Sequence, residues 1–148
     1  HRESRGLGDV YKRQEINVIK ISASIESQIS VLNDEDRNEY IGSLGLAEPG
    51  LNTLINEGYN SLDLVTYFTS GPKETRAWTI PRNTLAPESA GKIHTDFEKG
   101  FIRAETINYD ELINYSNYNE ARDFGKIRLE GKEYEVKDGD IMNFRFNN

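Results

Sequence analysis

Cysteine is absent from the 148 residues, which excludes a disulfide scaffold, thiolate zinc sites and a cysteine nucleophile together. Histidine is scarce. His1 and His94 are the two imidazoles, too few for a histidine-based metal cage. No run approaches the roughly 18 apolar residues of a membrane helix, so no membrane partner is expected. A phosphate loop is missing too: the Gly-Lys pairs at 91–92, 125–126 and 131–132 are followed by Ile, Ile and Glu, never by Ser or Thr. No Ser occupies a G-x-S-x-G elbow. The expectation is therefore no catalytic and no metal-ligating residue. What is present suffices for a core, since 36% of the residues are hydrophobic and 10% aromatic.

The net charge of −7 is unevenly spread and divides the chain into three blocks. Residues 1–14 carry four Lys/Arg against two acids, residues 15–63 two against nine, and residues 64–148 twelve against fourteen. A broad phosphate-tracking surface needs excess positive charge, so any nucleic-acid contact must be a local patch, and no specific DNA binding is expected. The first block has neither helical nor strand periodicity and no apolar stretch of the kind a secretory leader carries. Its VYKRQ ending is similar to translated sequencing-adapter read-through, so the block is read as non-native and set aside, with a genuine basic tail as the alternative.

In residues 15–63, Ile16 to Ile21 is β-branched and mostly apolar, the pattern of a strand buried on both faces of a parallel sheet. Ser22-Ala23-Ser24 then leaves the strand end, where open α/β sheets hold their ligands. A plain strand-to-helix turn is the alternative. Asn33 is positioned to cap a helix starting at Asp34, with Asp36 as its reciprocal partner. Tyr40, Ile41 and Leu44 form its apolar side, and Gly45 suits its C′ position. A second helix has Pro49 near its first turn and a stripe of Leu51, Leu54, Ile55, Tyr59 and Leu62. Asp34, Asp36 and Asn38 imitate a calcium loop, but Glu39 stands where its Gly belongs and Gly45 where its Glu belongs. One strand and two helices are not a domain. The block reads as the tail of a larger α/β domain.

Residues 64–148 read as an α+β unit. Strands are expected at Leu64–Thr69 and Glu74–Ile80 around a turn at Ser70 to Lys73, then a helix with Pro87 at its start and Ala86, Ala90 and Ile93 buried. Gly100 precedes a strand at Phe101–Ile107. Helical stretches at Asp110–Asn114 and Asn117–Phe124 lead to strands at Lys126–Leu129, Glu133–Val136 and Ile141–Phe146, with a turn over Lys137 to Asp140. That order suggests a ubiquitin-like β-grasp. Asp123-Phe124-Gly125 imitates a kinase metal loop without any accompanying kinase motif. His94 and Asp96 invite an acid–base pair, but a His just past a helix more often serves its last carbonyls.

Four runs are more specific: Thr66 to Thr69, Arg76 to Ile80, Ala90 to Glu105, and Asp138 to Phe146. Together they resemble the C-terminal TGS domain of the YchF/Obg-like ATPases, and the resemblance runs from about Glu15 to the end. It implies a β-grasp TGS domain over 64–148, preceded over 15–63 by a strand-plus-helices remnant of an α/β P-loop G domain. On that map Ser22, Ala23 and Ser24 fall on the fifth nucleotide-recognition motif, usually Ser/Cys-Ala-Lys, whose backbone faces the base. Ser24 departs from the usual Lys, so the stacking of a lysine stem is lost.

The resemblance further implies a cytoplasmic, ribosome-associated parent that prefers ATP over GTP and uses Mg²⁺. Its phosphate loop and metal ligands lie outside this chain, which alone is expected to bind no cofactor and to be inactive. Ribosomes and further protein partners are implied, and a monomer is expected. Lys73, Arg76, Arg82, Lys92, Lys99 and Arg103 are the candidate basic contacts, each an ordinary solvated charge when taken singly. The alternative is a stand-alone TGS adaptor that docks on ribosome, RNA or protein.

Overall fold

The computed structural model describes residues 18–71 and 73–147. Residues 1–14, Ile16 and Asn17 of the expected strand and Pro72 of the expected turn lie outside the described residues. The chain divides into two compact units, His1–Ser61 and Leu62–Asn148.

The first unit is helical where described. Val18 to Ile21 forms no strand, which corrects the expectation for that stretch: a strand exists only by pairing its N–H and C=O groups, and the described residues offer it no partner. Instead Ser22 opens a helix that periodicity had not marked, α1 (Ala23–Ile29), its Oγ accepting from the Ile25 N–H at 3.4 Å.

Helix α2 (Asp34–Ser43) follows the local rules closely. Asn33 Oδ1 accepts from the Asp36 N–H at 2.9 Å, and its Nδ2 donates to Asp36 Oδ2 at 2.8 Å, so cap and third residue hold each other. Asp34, Glu35 and Asp36 place negative charge on the first turn, where the helix dipole favours it. At the other end Gly45 adopts φ +70°. Its N–H donates to the Gly42 carbonyl at 3.0 Å and that of Leu46 to Ile41 at 3.2 Å, a Schellman closure that a left-handed residue makes possible.

Helix α3 (Gly50–Ser61) follows Pro49, whose carbonyl accepts its first bonds. Its stripe forms at the expected spacing, yet Leu51 and Ile55 remain about half exposed and Leu62, just beyond the helix, is 70% exposed. Among the described residues of this unit only Ile29 and Ile41 are buried.

The second unit is a mixed five-stranded sheet of order β2-β1-β5-β3-β4. Strands β1 (Leu64–Ser70) and β2 (Thr75–Pro81) form a hairpin in register from Leu64 opposite Pro81 to Ser70 opposite Thr75. Helix α4 (Ala86–Ile93) crosses over and α5 (Thr95–Lys99) continues from it. Strand β3 (Phe101–Asn108) is followed by the short helices α6 (Tyr109–Leu112) and α7 (Tyr118–Asp123). Strand β4 (Arg128–Glu130) pairs the outer side of β3, and β5 (Asp140–Phe146) lies between β3 and β1, parallel to β1. This is the expected β-grasp.

Strand alternation splits the core between the two faces of the sheet. On one side Val65, Tyr67, Ile80, Ala104, Met142 and Phe144 pack with Ala86 and Ala90 of α4. On the other, Ile107 and Ile141 pack with Ala121 of α7. Each large apolar side chain fully buried here contributes about 1.5–3 kcal/mol. Tyr67 is fully buried with its hydroxyl donating to the Ser89 carbonyl at 2.8 Å, and burial pushes its pKa up.

Two expectations shift. Strand β4 is Arg128–Glu130 rather than Lys126–Leu129. Glu133–Val136 is no sheet strand: it makes one bridge, Leu85 to Glu135, while the Ala86 N–H donates to the Tyr134 carbonyl at 2.8 Å and the Val136 N–H to that of Thr84 at 3.0 Å. Its alternating apolar residues serve the start of α4 instead of a sheet edge. Gly100 ends α5, and its surroundings leave room for no side chain: a Cβ there would run into the Asn147 carbonyl.

Candidate functional site

Ser22, Ala23 and Ser24 sit together at the start of α1, all three exposed. Ser22 is extended (φ −102°, ψ 106°), and its carbonyl accepts from the Glu26 N–H at 3.0 Å. The N–H groups of Ala23 and Ser24 belong to the first turn, where a helix supplies no acceptor. The Ser24 hydroxyl accepts from Gln28 Nε2 at 3.2 Å. Beside them lies a cleft of about 280 Å³ whose lining includes Lys20, Ile21, Ser22, Glu26, Glu48 and Thr53. Its carboxylates are committed: Glu26 Oε1 accepts from the Gly50 N–H at 2.8 Å and Glu48 Oε1 from the Thr53 hydroxyl at 3.0 Å. The lining thus carries two carboxylates against one lysine.

His94 and Asp96 do come together, but in a local role. The His94 N–H closes α4 by donating to Ala90, while its Nδ1 accepts from the Asp96 N–H at 3.1 Å and so caps α5. The imidazole therefore serves the start of the next helix, where the expected role was at the end of the preceding one. Both side chains are more than half exposed. Among the described residues no cluster of three or more His, Cys, Asp or Glu could hold a metal.

The six basic candidates are carried by different elements of the second unit. Lys73 lies in the β1–β2 turn, Arg76 stacks over the Trp78 ring at 4.4 Å, and Arg82 Nε bonds Asp63 Oδ1 at 2.8 Å. Lys92 ends α4, Lys99 ends α5 and Arg103 stands on β3.

Arg103 instead has neighbours that the sequence reading missed. The β3–β5 register sets it directly opposite Arg145. Arg145 Nη2 reaches Glu105 Oε1 at 3.1 Å, and Arg122 Nη2, from α7, reaches Glu105 Oε2 at 2.8 Å. Burial works to raise the Glu105 carboxyl, but hydrogen bonds and charge from Arg145 and Arg122 outweigh it and hold it below the ordinary carboxylate range. Desolvation, helped by the Glu105 charge, raises the Tyr118 hydroxyl against the opposing pull of Arg122, whose guanidinium lies 5.3 Å from the ring centre. The available signal was Arg145 alternating outward between Phe144 and Phe146; its partner depends on a register between distant strands.

Comparison with known proteins bears on both units. The family model YchF-GTPase_C, described as a protein of unknown function (DUF933), matches residues 64–147. The chain belongs to the YchF family. The YchF protein of Escherichia coli O157:H7, described as a ribosome-binding ATPase, is 57% identical over 130 residues, which is 88% of this chain and 36% of that protein. The Bacillus subtilis (strain 168) ribosome-binding ATPase YchF is 51% identical over the same shares. The solved Schizosaccharomyces pombe YchF GTPase superposes with a TM-score of 0.76 at 36% identity, covering 94% of this chain and 38% of that one. The chain thus spans between a third and two fifths of the length of these YchF relatives.

Proposed function

We propose that this chain is the C-terminal part of a ribosome-binding, ATP-preferring P-loop ATPase. In this reading residues 15–63 complete the nucleotide domain and residues 64–148 form a TGS module that binds and regulates. The observation that carries the reading is the extent of the likeness. The match to ribosome-binding ATPases covers 130 residues, more than the segment 64–147 can hold, so it continues into the helical unit.

Ser22, Ala23 and Ser24 would present the backbone amides of the α1 start to the nucleotide base. The phosphates and Mg²⁺ would be held by upstream residues, since the sequence has no G-x-x-x-x-G-K-[ST] and the cleft beside Ser22 is lined by Glu26 and Glu48. Bound ATP with its metal would supply the phosphoryl group, and transfer needs cradle and metal placed together. This chain alone therefore hydrolyses nothing. It works in the cytoplasm, as a monomer, on the ribosome and its associated proteins.

The test is co-sedimentation of the purified 148-residue chain with ribosomes over a salt series, alongside an ATPase assay and the coding sequence upstream of Glu15. The expected result is salt-sensitive pelleting, no ATP turnover, and an upstream phosphate loop. Failure to pellet overturns the ribosomal role of this part, and an upstream stop codon without a phosphate loop overturns the ATPase parentage.

A further inference from the structure

The geometry points to an RNA-backbone contact on the sheet face that carries Arg103, Arg145 and Arg122. This inference rests on the ribosome-binding reading and narrows it to one surface and one chemistry.

The first observation is a charge arrangement that stability alone disfavours. Arg103 and Arg145 stand directly opposite each other on β3 and β5, and like charges in that position destabilise a sheet. A single carboxylate, Glu105, holds two of the three guanidinium groups, one oxygen bonded to Arg145 and the other to Arg122. The Arg103 guanidinium has no hydrogen-bond or ion-pair partner among the described residues, although its backbone belongs to the β3–β5 ladder. The block from 64 to 148 has more acids than bases, so this positive concentration runs against the surrounding composition.

The second observation is a β-bulge at the same place. Phe101 pairs with Phe146 and Arg103 with Arg145, which leaves Ile102 as the extra residue. Phe101 and Ala104 are buried, whereas Ile102 and Arg103 are both exposed. Normal alternation would have turned one of that pair inward. The bulge thus sets an apolar side chain next to a free guanidinium.

The third is shape. An open groove of about 510 Å³ follows these residues, lined by Ile102, Arg103, Glu105, Phe144, Arg145 and Phe146.

Guanidinium forks match phosphate oxygens in a two-point bond, and RNA proteins pair such contacts with apolar or planar groups for the bases. Single-stranded RNA offers both parts, phosphate to the arginines and a base or ribose face to Ile102. An acidic protein surface would satisfy the arginines but set charge against Ile102.

The experiment measures fluorescence anisotropy of a labelled oligouridylate of about 20 nucleotides with the 148-residue chain over a salt series. Arg103→Gln/Arg145→Gln should weaken binding about tenfold and flatten the slope of log affinity against log salt by about 1.4, for two lost phosphate contacts. Arg122 stays, so Glu105 keeps a partner. Ile102→Glu, which touches none of the Arg–Glu bonds, should weaken binding about tenfold as well, and Lys132→Gln/Lys137→Gln should leave it within about twofold.

Wild-type affinity and slope in both groove variants overturn the inference. If the chain binds no oligouridylate yet still pellets with ribosomes, the face does not contact RNA and the ribosomal reading survives. If it does neither, both fall.

Discussion

The two units obey the same local rules and reach different ends. In the helical unit a reciprocal Asn33–Asp36 cap and a Schellman closure at Gly45 define α2 almost completely, yet only Ile29 and Ile41 are buried among its described residues. In the second unit the caps are no better, but strands from both ends of that unit meet and enclose Val65, Tyr67, Ile80 and Met142 with almost no exposure. Local signals are enough to start and stop a helix; a core needs a second surface brought from elsewhere in the chain. The stripe on α3 has the right spacing for such a surface, and Leu51, Leu54 and Ile55 remain open to solvent.

That contrast can be broken in a graded series. The largest effect belongs to Ile80→Ala, which removes a fully buried side chain from the sheet core: thermal or urea unfolding of the second unit should show a loss of about 4 kcal/mol. A loss below about 1 kcal/mol would mean that this core is much looser than its burial implies.

Next comes a pH effect confined to the sheet face. Glu105 is held below its ordinary carboxyl value of about 4.5, so it contributes stability above that value and loses it as pH falls through the depressed one. The Tm of the wild type should therefore drop faster below about pH 4.5 than that of Glu105→Gln. Parallel acid limbs would show that the Arg145 and Arg122 contacts carry no linkage.

Leu54→Ala gives the smallest change, within about 0.5 kcal/mol, although it deletes as many carbon atoms as Ile80→Ala. A cost near that of Ile80→Ala would erase the distinction between the units.

Much of the architecture was legible in the sequence. Asn33 and Gly45 announced both ends of α2, and Ala86 and Ala90 face the core as expected. What escaped was of two kinds. Some signals were local and passed over: Ser22 before a seven-residue helix, and His94 before Thr95 and Asp96, where an imidazole nitrogen does the capping usually left to Ser or Asn. Others were beyond any local reading. Glu133–Val136 alternates like a strand but spends its backbone on Thr84 and Ala86, and Ile16–Ile21 has a strand's composition while its described part has no strand to pair with. The Arg103–Arg145 pair is of this second kind, because a one-residue bulge at Ile102 decides which side chains share the outer face.

The position of β5 also sets an order of events. Of the five described strands the last in sequence lies between β1 and β3, so neither the β1–β2 hairpin nor β3 with its edge strand can join the other beforehand. The contacts that close the sheet span most of the unit, a topology that folds slowly for its size. Until Asp140–Phe146 is free, the hairpin keeps one apolar face uncovered and an open edge on β1, the surface on which a nascent chain is most exposed to mispairing and most in need of a chaperone.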